Sequence, residues 1–198
     1  TFEQESPGVH KGFDYSRSAN PTRKAFEECI ASLENGEVGF GFSSGVAAIS
    51  ACVELLSPGD HVIAMNDLYG GTVRLFNEIK TLSQGIEVTY VDMTDMQNVL
   101  EAKTDKTKMI FVETPTNPLL RVVDLAAIAD FAKAEKILSV CDNTFASPYV
   151  QQPLNHGIDI VLHSATKYLG GHSDLIAGAL VIGKKDDALV SRMANIVN

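Results

Sequence analysis

Short apolar runs rich in β-branched residues alternate with longer helical stretches along most of this chain. The apolar runs lie at residues 38–42, 61–65, 86–92, 108–113, 137–142, 159–164 and 179–183, and helical stretches lie at residues 45–56, 72–82, 96–102 and 124–135. This alternation predicts βαβ units, and therefore an α/β fold whose mostly parallel sheet is covered by helices on both faces. Residues 1–22 lack the pattern, so we expect an arm there and one domain at residues 23–198.

Charge and cysteine usage exclude several classes of function. The formal net charge is -9, from 16 basic and 25 acidic residues, and such a balance opposes binding to nucleic acids or anionic membranes. Three cysteines without a CxxC pair fit reduced thiols better than a disulfide framework or a zinc site. No apolar run approaches the roughly 20 residues that span a bilayer. We therefore expect a cytoplasmic protein without a metal, a nucleic-acid partner or a membrane partner.

The residues that follow the apolar runs are the candidates for a site, because α/β proteins bind ligands at the carboxyl ends of their strands. After the first run, "SSGVAA" at residues 43–48 opens a helix. Free amides and the helix dipole at such a start favour an anion, for instance a phosphate. Capping of the helix by Ser43 or Ser44 explains the same residues equally well.

The same stretch also matches the nucleophile elbow of serine hydrolases. "GFSSG", which is Gly41-Phe42-Ser43-Ser44-Gly45, has the pattern G-x-S-x-G with Ser43 in the place of the nucleophile. Asp142 and then His163 or His172 follow in the order of a Ser–Asp–His triad. The pattern is short, and a hydrolase leaves the polar residues at the other strand ends without a role.

Three further strand ends carry aromatic or polar side chains. In "DLYGGT", Tyr69 stands beside two glycines, where its ring either stacks on a flat ligand or belongs to an ordinary turn. In "ETPTNP", two prolines fix an extended turn that leaves Asn117 at the same edge. In "VCDNTF", Asp142 ends an apolar strand. A carboxylate there needs a positive partner, such as a protonated ring nitrogen, unless it only forms an Asx turn.

The stretch "HSATKYLGG" places Lys167 directly after a strand, among small residues and two glycines. Ser164 and Thr166 are hydroxyl donors suited to phosphate oxygens, and a lysine in such a site can become a nucleophile that forms a Schiff base. A loop lysine without a duty is the alternative. Taken together, the strand ends supply a phosphate cradle, a stacking ring, a carboxylate and a lysine. This combination favours pyridoxal 5′-phosphate, whose protonated ring is an electron sink.

The chain resembles the Cys/Met-metabolism family of pyridoxal-phosphate enzymes. The matching blocks are "YSRSANPTR", "SSGVAA", "DLYGGT", "ETPTNP", "VCDNTF" and "HSATKYLGGHSD", in the order of the family. The resemblance implies the large cofactor-binding domain of a fold-type I, aspartate-aminotransferase-like enzyme. Family members are considerably longer, so the resemblance also implies that their C-terminal small domain lies outside this chain.

The resemblance implies a role for each matched residue. Lys167 resembles the lysine that binds the cofactor covalently and later moves protons on the substrate, and Tyr69 resembles the tyrosine that stacks on the ring and assists acid–base steps. Asp142 resembles the partner of the ring nitrogen. The other implied cofactor ligands are Gly45, Val46, Ser164, Thr166 and Asn117, together with Tyr15 and Arg17, which would reach the cofactor of a neighbouring subunit.

The resemblance implies an activity and an assembly as well. Asn117 would also face the substrate carboxylate, and Arg74 either faces the substrate mouth or is a solvated helix arginine. We expect a homo-oligomer, a dimer of dimers, that cleaves cystathionine to cysteine, 2-oxobutanoate and ammonia. Methionine γ-lyases of the family usually carry a cysteine where this chain has Gly71, so the resemblance counts against that activity. Cystathionine γ-synthase, which acts on an O-acylhomoserine, cystathionine β-lyase and an inactive binding or assembly module are the alternatives.

Overall fold

A seven-stranded sheet organises the chain, for which the computed structural model describes residues 4–6, 9–13, 15–16, 19–183 and 187–197. In chain order the elements are β1 (Gln4–Ser6), β2 (Val9–His10), α1 (Pro21–Leu33), β3 (Val38–Phe42), α2 (Gly45–Val53), β4 (His61–Met65), α3 (Gly70–Arg74), a π-helical segment (Leu75–Lys80), α4 (Thr81–Gln84), β5 (Glu87–Val91), α5 (Met96–Ala102), β6 (Thr107–Glu113), α6 (Leu125–Glu135), β7 (Leu138–Asp142), α7 (Ser147–Val150), a 3₁₀ turn (Pro153–His156), β8 (Ile160–His163), β9 (Gly178–Ile182) and α8 (Asp187–Val197).

All seven apolar runs of the sequence are strands of this sheet, in the order β3-β9-β8-β7-β6-β4-β5. Neighbouring strands from β8 to β5 are parallel, whereas β9 runs antiparallel to both β8 and β3. Strands β4, β8 and β9 are buried along their whole length, as expected of a sheet covered on both faces. The predicted α/β fold with a mostly parallel sheet is confirmed.

The reversal of β9 brings its first residues to the functional edge of the sheet. Phe42, the last residue of β3, pairs with Gly178, and His163, the last residue of β8, pairs with Ala179. The carboxyl ends of β3 to β8 and the amino end of β9 therefore share one edge. A Cβ on Gly178 would lie 2.1 Å from the Ser44 carbonyl oxygen, so this close approach requires glycine.

Helices α1 and α8 were not predicted from the sequence. Asn20 caps α1 by accepting hydrogen bonds from the amides of Thr22 and Arg23, and Pro21 occupies its first turn. This helix therefore begins within the last residues of the expected arm. The helix expected at residues 72–82 is present as α3, the π-helical segment and α4 in succession. None of the described helices has the length and apolarity that a membrane span needs.

Candidate active site

A cavity of ≈ 510 Å³ opens at the carboxyl edge of the sheet. Its size is typical of small-molecule sites. Segments that follow β3, β4, β6, β7 and β8 contribute its wall, and they bring together eight of the residues that the sequence indicated. The lining residues are Ser44, Gly45, Val46, Ile49, Tyr69, Glu113, Asn117, Asp142, Thr144, Phe145, Ser164, Thr166, Lys167 and Ile176.

The start of α2 forms one wall of the cavity. Ser44 caps the helix, because its Oγ accepts the amide of Ala47 at 3.1 Å. The amides of Gly45 and Val46, which lie between Ser44 and Ala47, have no acceptor within the helix. Gly45 is buried against Ser164, and a Cβ on Gly45 would lie 2.8 Å from the Ser164 Cβ. Two amides, a helix dipole and a serine hydroxyl thus meet in a space that only a glycine leaves open.

The hydroxyl of Thr166 is engaged within the chain. Its Oγ1 donates to the Ala177 carbonyl at 3.1 Å and accepts the Ala177 amide at 3.1 Å. These two bonds fasten the segment after β8 to the residue that precedes β9. Thr166 lines the cavity, but its hydroxyl can donate to a phosphate only by giving up the Ala177 carbonyl.

Asp142 presents one free carboxylate oxygen to the cavity. Its Oδ1 accepts the Thr144 amide at 3.0 Å and the Thr144 hydroxyl at 2.5 Å. Its Oδ2 has no hydrogen-bond partner in the part of the chain that the structure describes, although Asp142 is only 7% exposed. Burial raises the pKa of the Asp142 carboxyl, and the Thr144 hydrogen bonds and nearby His163 offset this only in part. A cation in the cavity would satisfy Oδ2 and favour the ionised form.

Tyr69 lies over a glycine at the mouth of the cavity. It precedes α3, and its ring is placed so that a Cβ on Gly71 would lie 2.3 Å from its Cε1. The residue is 47% exposed. Gly71 therefore gives the ring its place, and the ring keeps one open side on which a flat ligand can stack.

Glu113 belongs to the site, although the sequence did not indicate it. The side chain is 5% exposed and lines the cavity. Its Oε2 accepts the Tyr69 amide at 3.0 Å, and its Oε1 accepts the Asn117 amide at 2.8 Å. Burial, with the charge of Asp142 second, raises the pKa of the Glu113 carboxyl to about 8. The glutamate at the head of "ETPTNP" was the available signal, since it ends a buried strand.

A buried polar cluster supports the residues next to Asp142 and Ser164. Glu34, which ends α1, bonds to His163 Nε2 at 2.5 Å and accepts Asn143 Nδ2 at 2.9 Å. All three side chains are at most 1% exposed. Asn143 follows Asp142 and His163 precedes Ser164, so the cluster ties α1 to two walls of the cavity.

Lys167 lies in the segment after β8 and lines the cavity. Its amide donates to the Ser164 carbonyl at 3.1 Å, and its carbonyl accepts the Gly171 amide at 2.8 Å. The residue is exposed. Within residues 4–6, 9–13, 15–16, 19–183 and 187–197, the Lys167 ammonium has no ion-pair partner. It is therefore available to a ligand.

Three indicated residues lie elsewhere. Arg74 is exposed on α3 and is not part of the cavity lining. Tyr15 is 51% exposed in the arm, also away from the lining. Arg17 lies outside the described residues. The roles implied for them stay predictions.

The geometry offers no catalytic triad around Ser43. His163 is bonded to Glu34, and His172 Nδ1 lies 3.1 Å from the Gly170 carbonyl oxygen. Among the described residues neither histidine is hydrogen-bonded to Ser43, whereas a serine nucleophile needs such a base. The G-x-S-x-G match is thus a consequence of the turn between β3 and α2.

The donor set fits pyridoxal 5′-phosphate. The start of α2 with Ser164 suits a phosphate, the orphaned Oδ2 of Asp142 suits a protonated ring nitrogen, and Lys167 lines the same cavity. Tyr69 offers a ring face for stacking. A metal centre has no such support, because the described residues contain no group of three or more His, Cys, Asp or Glu side chains placed to hold an ion.

Comparison with known proteins agrees with this geometry. The family model described as Cys/Met metabolism PLP-dependent enzyme matches residues 1–198. The chain is 57% identical over 183 residues to a cystathionine beta-lyase of Coxiella burnetii (strain RSA 493 / Nine Mile phase I), which covers 92% of the chain and 47% of that protein. It is 51% identical over 186 residues to a cystathionine gamma-lyase of Bacillus subtilis (strain 168), covering 94% of the chain and 49% of that protein.

The fold has a solved counterpart. The crystal structure of cystathionine gamma-lyase from Lactobacillus plantarum complexed with L-serine superposes with a TM-score of 0.95 at 51% sequence identity. The match covers 100% of this chain and 51% of that one. The chain thus spans about half the length of the curated relatives it matches.

Proposed function

This chain belongs to the Cys/Met metabolism family of PLP-dependent enzymes and has their fold-type I architecture, and we therefore propose that it forms part of a carbon–sulfur lyase. The proposed reaction is cleavage of cystathionine to cysteine, 2-oxobutanoate and ammonia. The observation that carries the proposal is the presence of Lys167, Tyr69 and the unpaired Asp142 oxygen in one cavity with the start of α2.

We assign the phosphate of the cofactor to the start of α2. The amides of Gly45 and Val46 and the hydroxyl of Ser164 are the donors, and the helix dipole adds to their attraction for an anion. Thr166 contributes mainly by its bonds to Ala177, which keep the lysine-bearing segment against the sheet.

We assign the reacting end to Asp142, Tyr69 and Lys167. Bound pyridoxal phosphate supplies an electron sink for the electron pair left at the substrate Cα. Asp142 Oδ2 would accept a hydrogen bond from the protonated ring nitrogen and would favour its charged form. Tyr69 stacks on the ring and excludes water from that face. Lys167 would hold the cofactor covalently before the substrate arrives, and the substrate amine would replace it in that bond. The freed neutral amine of Lys167 would then be available in the cavity to take the Cα proton.

We propose further roles for four residues around this reacting end. Asn117 and Arg74 would contact the substrate, and Tyr15 and Arg17 would reach the cofactor of a neighbouring subunit in a homo-oligomer built as a dimer of dimers. The exposed position of Tyr15 in the arm supports this assignment. Residues 23–198 would form the cofactor domain, with the small domain of the family outside this chain. Three free cysteines support a cytoplasmic location.

Cystathionine β-lyase is the second candidate activity. The relative named as a beta-lyase is 57% identical, against 51% for the one named as a gamma-lyase. The residues described above take part before the two reactions diverge, so they support either lyase. A γ-synthase shares the same early steps, and an inactive module would not need Lys167, Asp142 and Tyr69 together.

The first experiment is an absorption spectrum of the purified protein with pyridoxal phosphate, before and after borohydride. We expect a visible band that borohydride bleaches, with the pyridoxyl group mapped to Lys167 by mass spectrometry and absent from Lys167→Ala. A colourless protein, or a label on another lysine, contradicts the proposed site. Products from cystathionine then separate the lyases, because γ-cleavage yields 2-oxobutanoate and β-cleavage yields pyruvate.

A further inference from the structure

The carboxylate of Glu113 joins two segments that are distant in the chain. Its Oε2 accepts the amide of Tyr69, which lies between β4 and α3, and its Oε1 accepts the amide of Asn117, which lies after β6. Glu113, Tyr69 and Asn117 all line the cavity. One side chain therefore fixes the backbone of two residues on the cavity wall.

The two bonds need two acceptor oxygens. A glutamate side chain has two oxygens with acceptor capacity whether it is ionised or protonated, whereas a glutamine offers one acceptor and one donor. A carboxyl group that is 5% exposed and in register with buried Asp142 is costly to ionise there. A glutamate at this position is thus explained by the two amides that it holds, and not by packing.

Asp67 provides a natural comparison. It also joins the segment after β4 to the segment after β6, because its Oδ2 accepts the Thr116 hydroxyl and the Leu119 amide, the latter at 3.2 Å. Like Glu113 it is buried, at 9% exposure, but it is not part of the cavity lining. The two carboxylates therefore bridge the same segments, one at the cavity and one away from it.

We propose that Glu113 is a positioning residue of the active site, whose carboxylate sets Tyr69 and Asn117 against the bound cofactor. The cofactor part of this inference rests on the proposed function, whereas the hold on the two amides does not. Tyr69 depends on Glu113 for its backbone position and on Gly71 for the place of its ring.

The hold on the amides is tested in protein without cofactor, by comparing amide resonances of the parent chain, Glu113→Gln and Asp67→Asn. A hydrogen-bond acceptor moves the amide proton that it binds downfield. We expect Glu113→Gln to remove this shift at Tyr69 or Asn117, and Asp67→Asn to move Leu119 and leave those two in place. Unchanged Tyr69 and Asn117 resonances in Glu113→Gln overturn the proposal. Where the glutamine variant does not fold, Glu113→Asp shortens the reach and supplies the same comparison.

The effect on the cofactor is tested with pyridoxine 5′-phosphate, which lacks the aldehyde and binds without a covalent bond, and with the visible circular dichroism of bound pyridoxal phosphate. We expect Glu113→Gln to weaken binding on the order of tenfold and to change the dichroism, since one of the two hydrogen bonds to the Tyr69 and Asn117 amides is lost. Asp67→Asn should leave both unchanged. Equal losses in the two variants overturn the positioning role. If the parent chain binds no cofactor, the proposed function fails, and the amide resonances alone decide the role of Glu113.

Discussion

Glu113 and Asp142 are paired across the neighbouring strands β6 and β7, so two buried carboxylates stand side by side at the edge of the candidate active site. Side chains in register on adjacent strands share a face of the sheet. Burial and the charge of Asp142 raise the pKa of the Glu113 carboxyl to about 8, and burial also raises that of Asp142. Ionising both carboxyl groups is therefore unfavourable, and a cation in the cavity would reduce this electrostatic free energy.

The first prediction concerns the pH dependence of stability. Glu113 ionises near 4.5 in the unfolded chain but keeps its proton to about 8 in the folded one. Between these values the folded state binds more protons, so the free energy of unfolding should fall as the pH rises through this window. Urea denaturation of the parent chain and of Glu113→Gln at about pH 5, 6.5 and 8 measures how the free energy of unfolding of each protein changes with pH. Burial lowers the pKa of His61 in both proteins alike, so the contribution of this residue cancels in the comparison. Parallel pH profiles would contradict the raised pKa.

The second prediction concerns Gly71. A methyl group there would lie 2.3 Å from the Tyr69 ring, so Gly71→Ala must displace the ring. We expect the affinity for pyridoxine 5′-phosphate to fall by about twofold to tenfold, the worth of one aromatic contact. Gly70→Ala is the matched control, because a Cβ at Gly70 meets nothing within 4 Å. Equal affinities of the two alanine variants would place the ligand away from Tyr69.

The third prediction concerns the phosphate cradle. Gly45→Ala would put a methyl group 2.8 Å from the Ser164 Cβ and 2.9 Å from its Cα, which pushes the start of α2 away from Ser164. We expect binding of pyridoxal phosphate to weaken on the order of tenfold, since phosphate contacts are lost. Pyridoxal, which has no phosphate, is the control ligand, and its affinity should not change. A loss common to both ligands would indicate general damage to the fold.

The fourth prediction separates stability from binding at Asp142. Asp142→Asn removes a buried charge with an unpaired oxygen, so the variant should be more stable than the parent at pH 8 by about 1 kcal/mol or more. Its affinity for pyridoxal phosphate should nevertheless fall at least tenfold, because the ring nitrogen loses its anion. Thermal melting and an absorption titration measure the two effects.

Asp159→Asn is the control for Asp142→Asn. Asp159 lies at the opposite edge of the sheet, where its Oδ2 accepts the Ser139 amide at 2.8 Å and hydroxyl at 2.7 Å. This variant should lose stability and keep its affinity. The role of Asp142 is refuted if Asp142→Asn binds the cofactor as well as Asp159→Asn does.

The strands were predictable because their signals are local. Each buried strand is a continuous apolar run, and residues that follow parallel strands must meet at one edge, which placed Lys167, Asp142 and Tyr69 in a common region. The start of α1 was also recoverable in principle, from Asn20 as cap and Pro21 in the first turn. The reversal of β9 was not, because strand direction depends on the chain path and not on composition.

The role of Glu113 could not be predicted from the sequence, for a physical reason. Its two partners are backbone amides, which every residue but proline carries, and one of them belongs to Tyr69, 44 positions away in the chain. The bond between Glu34 and His163 joins residues 129 positions apart. Side-chain type predicts that such groups need partners when they are buried, but only the fold decides which partners they meet.

The position of strand β3 in the sheet determines when the site can be completed during synthesis. Its only neighbour in the described sheet is β9, so Val38 can pair only after Ile182, far later in the chain, has been synthesised. During synthesis the turn between β3 and α2 therefore leaves the ribosome long before β3 can join the sheet. Contacts between distant parts of a chain form late. The site that this turn helps to form is thus complete only after β9 has emerged.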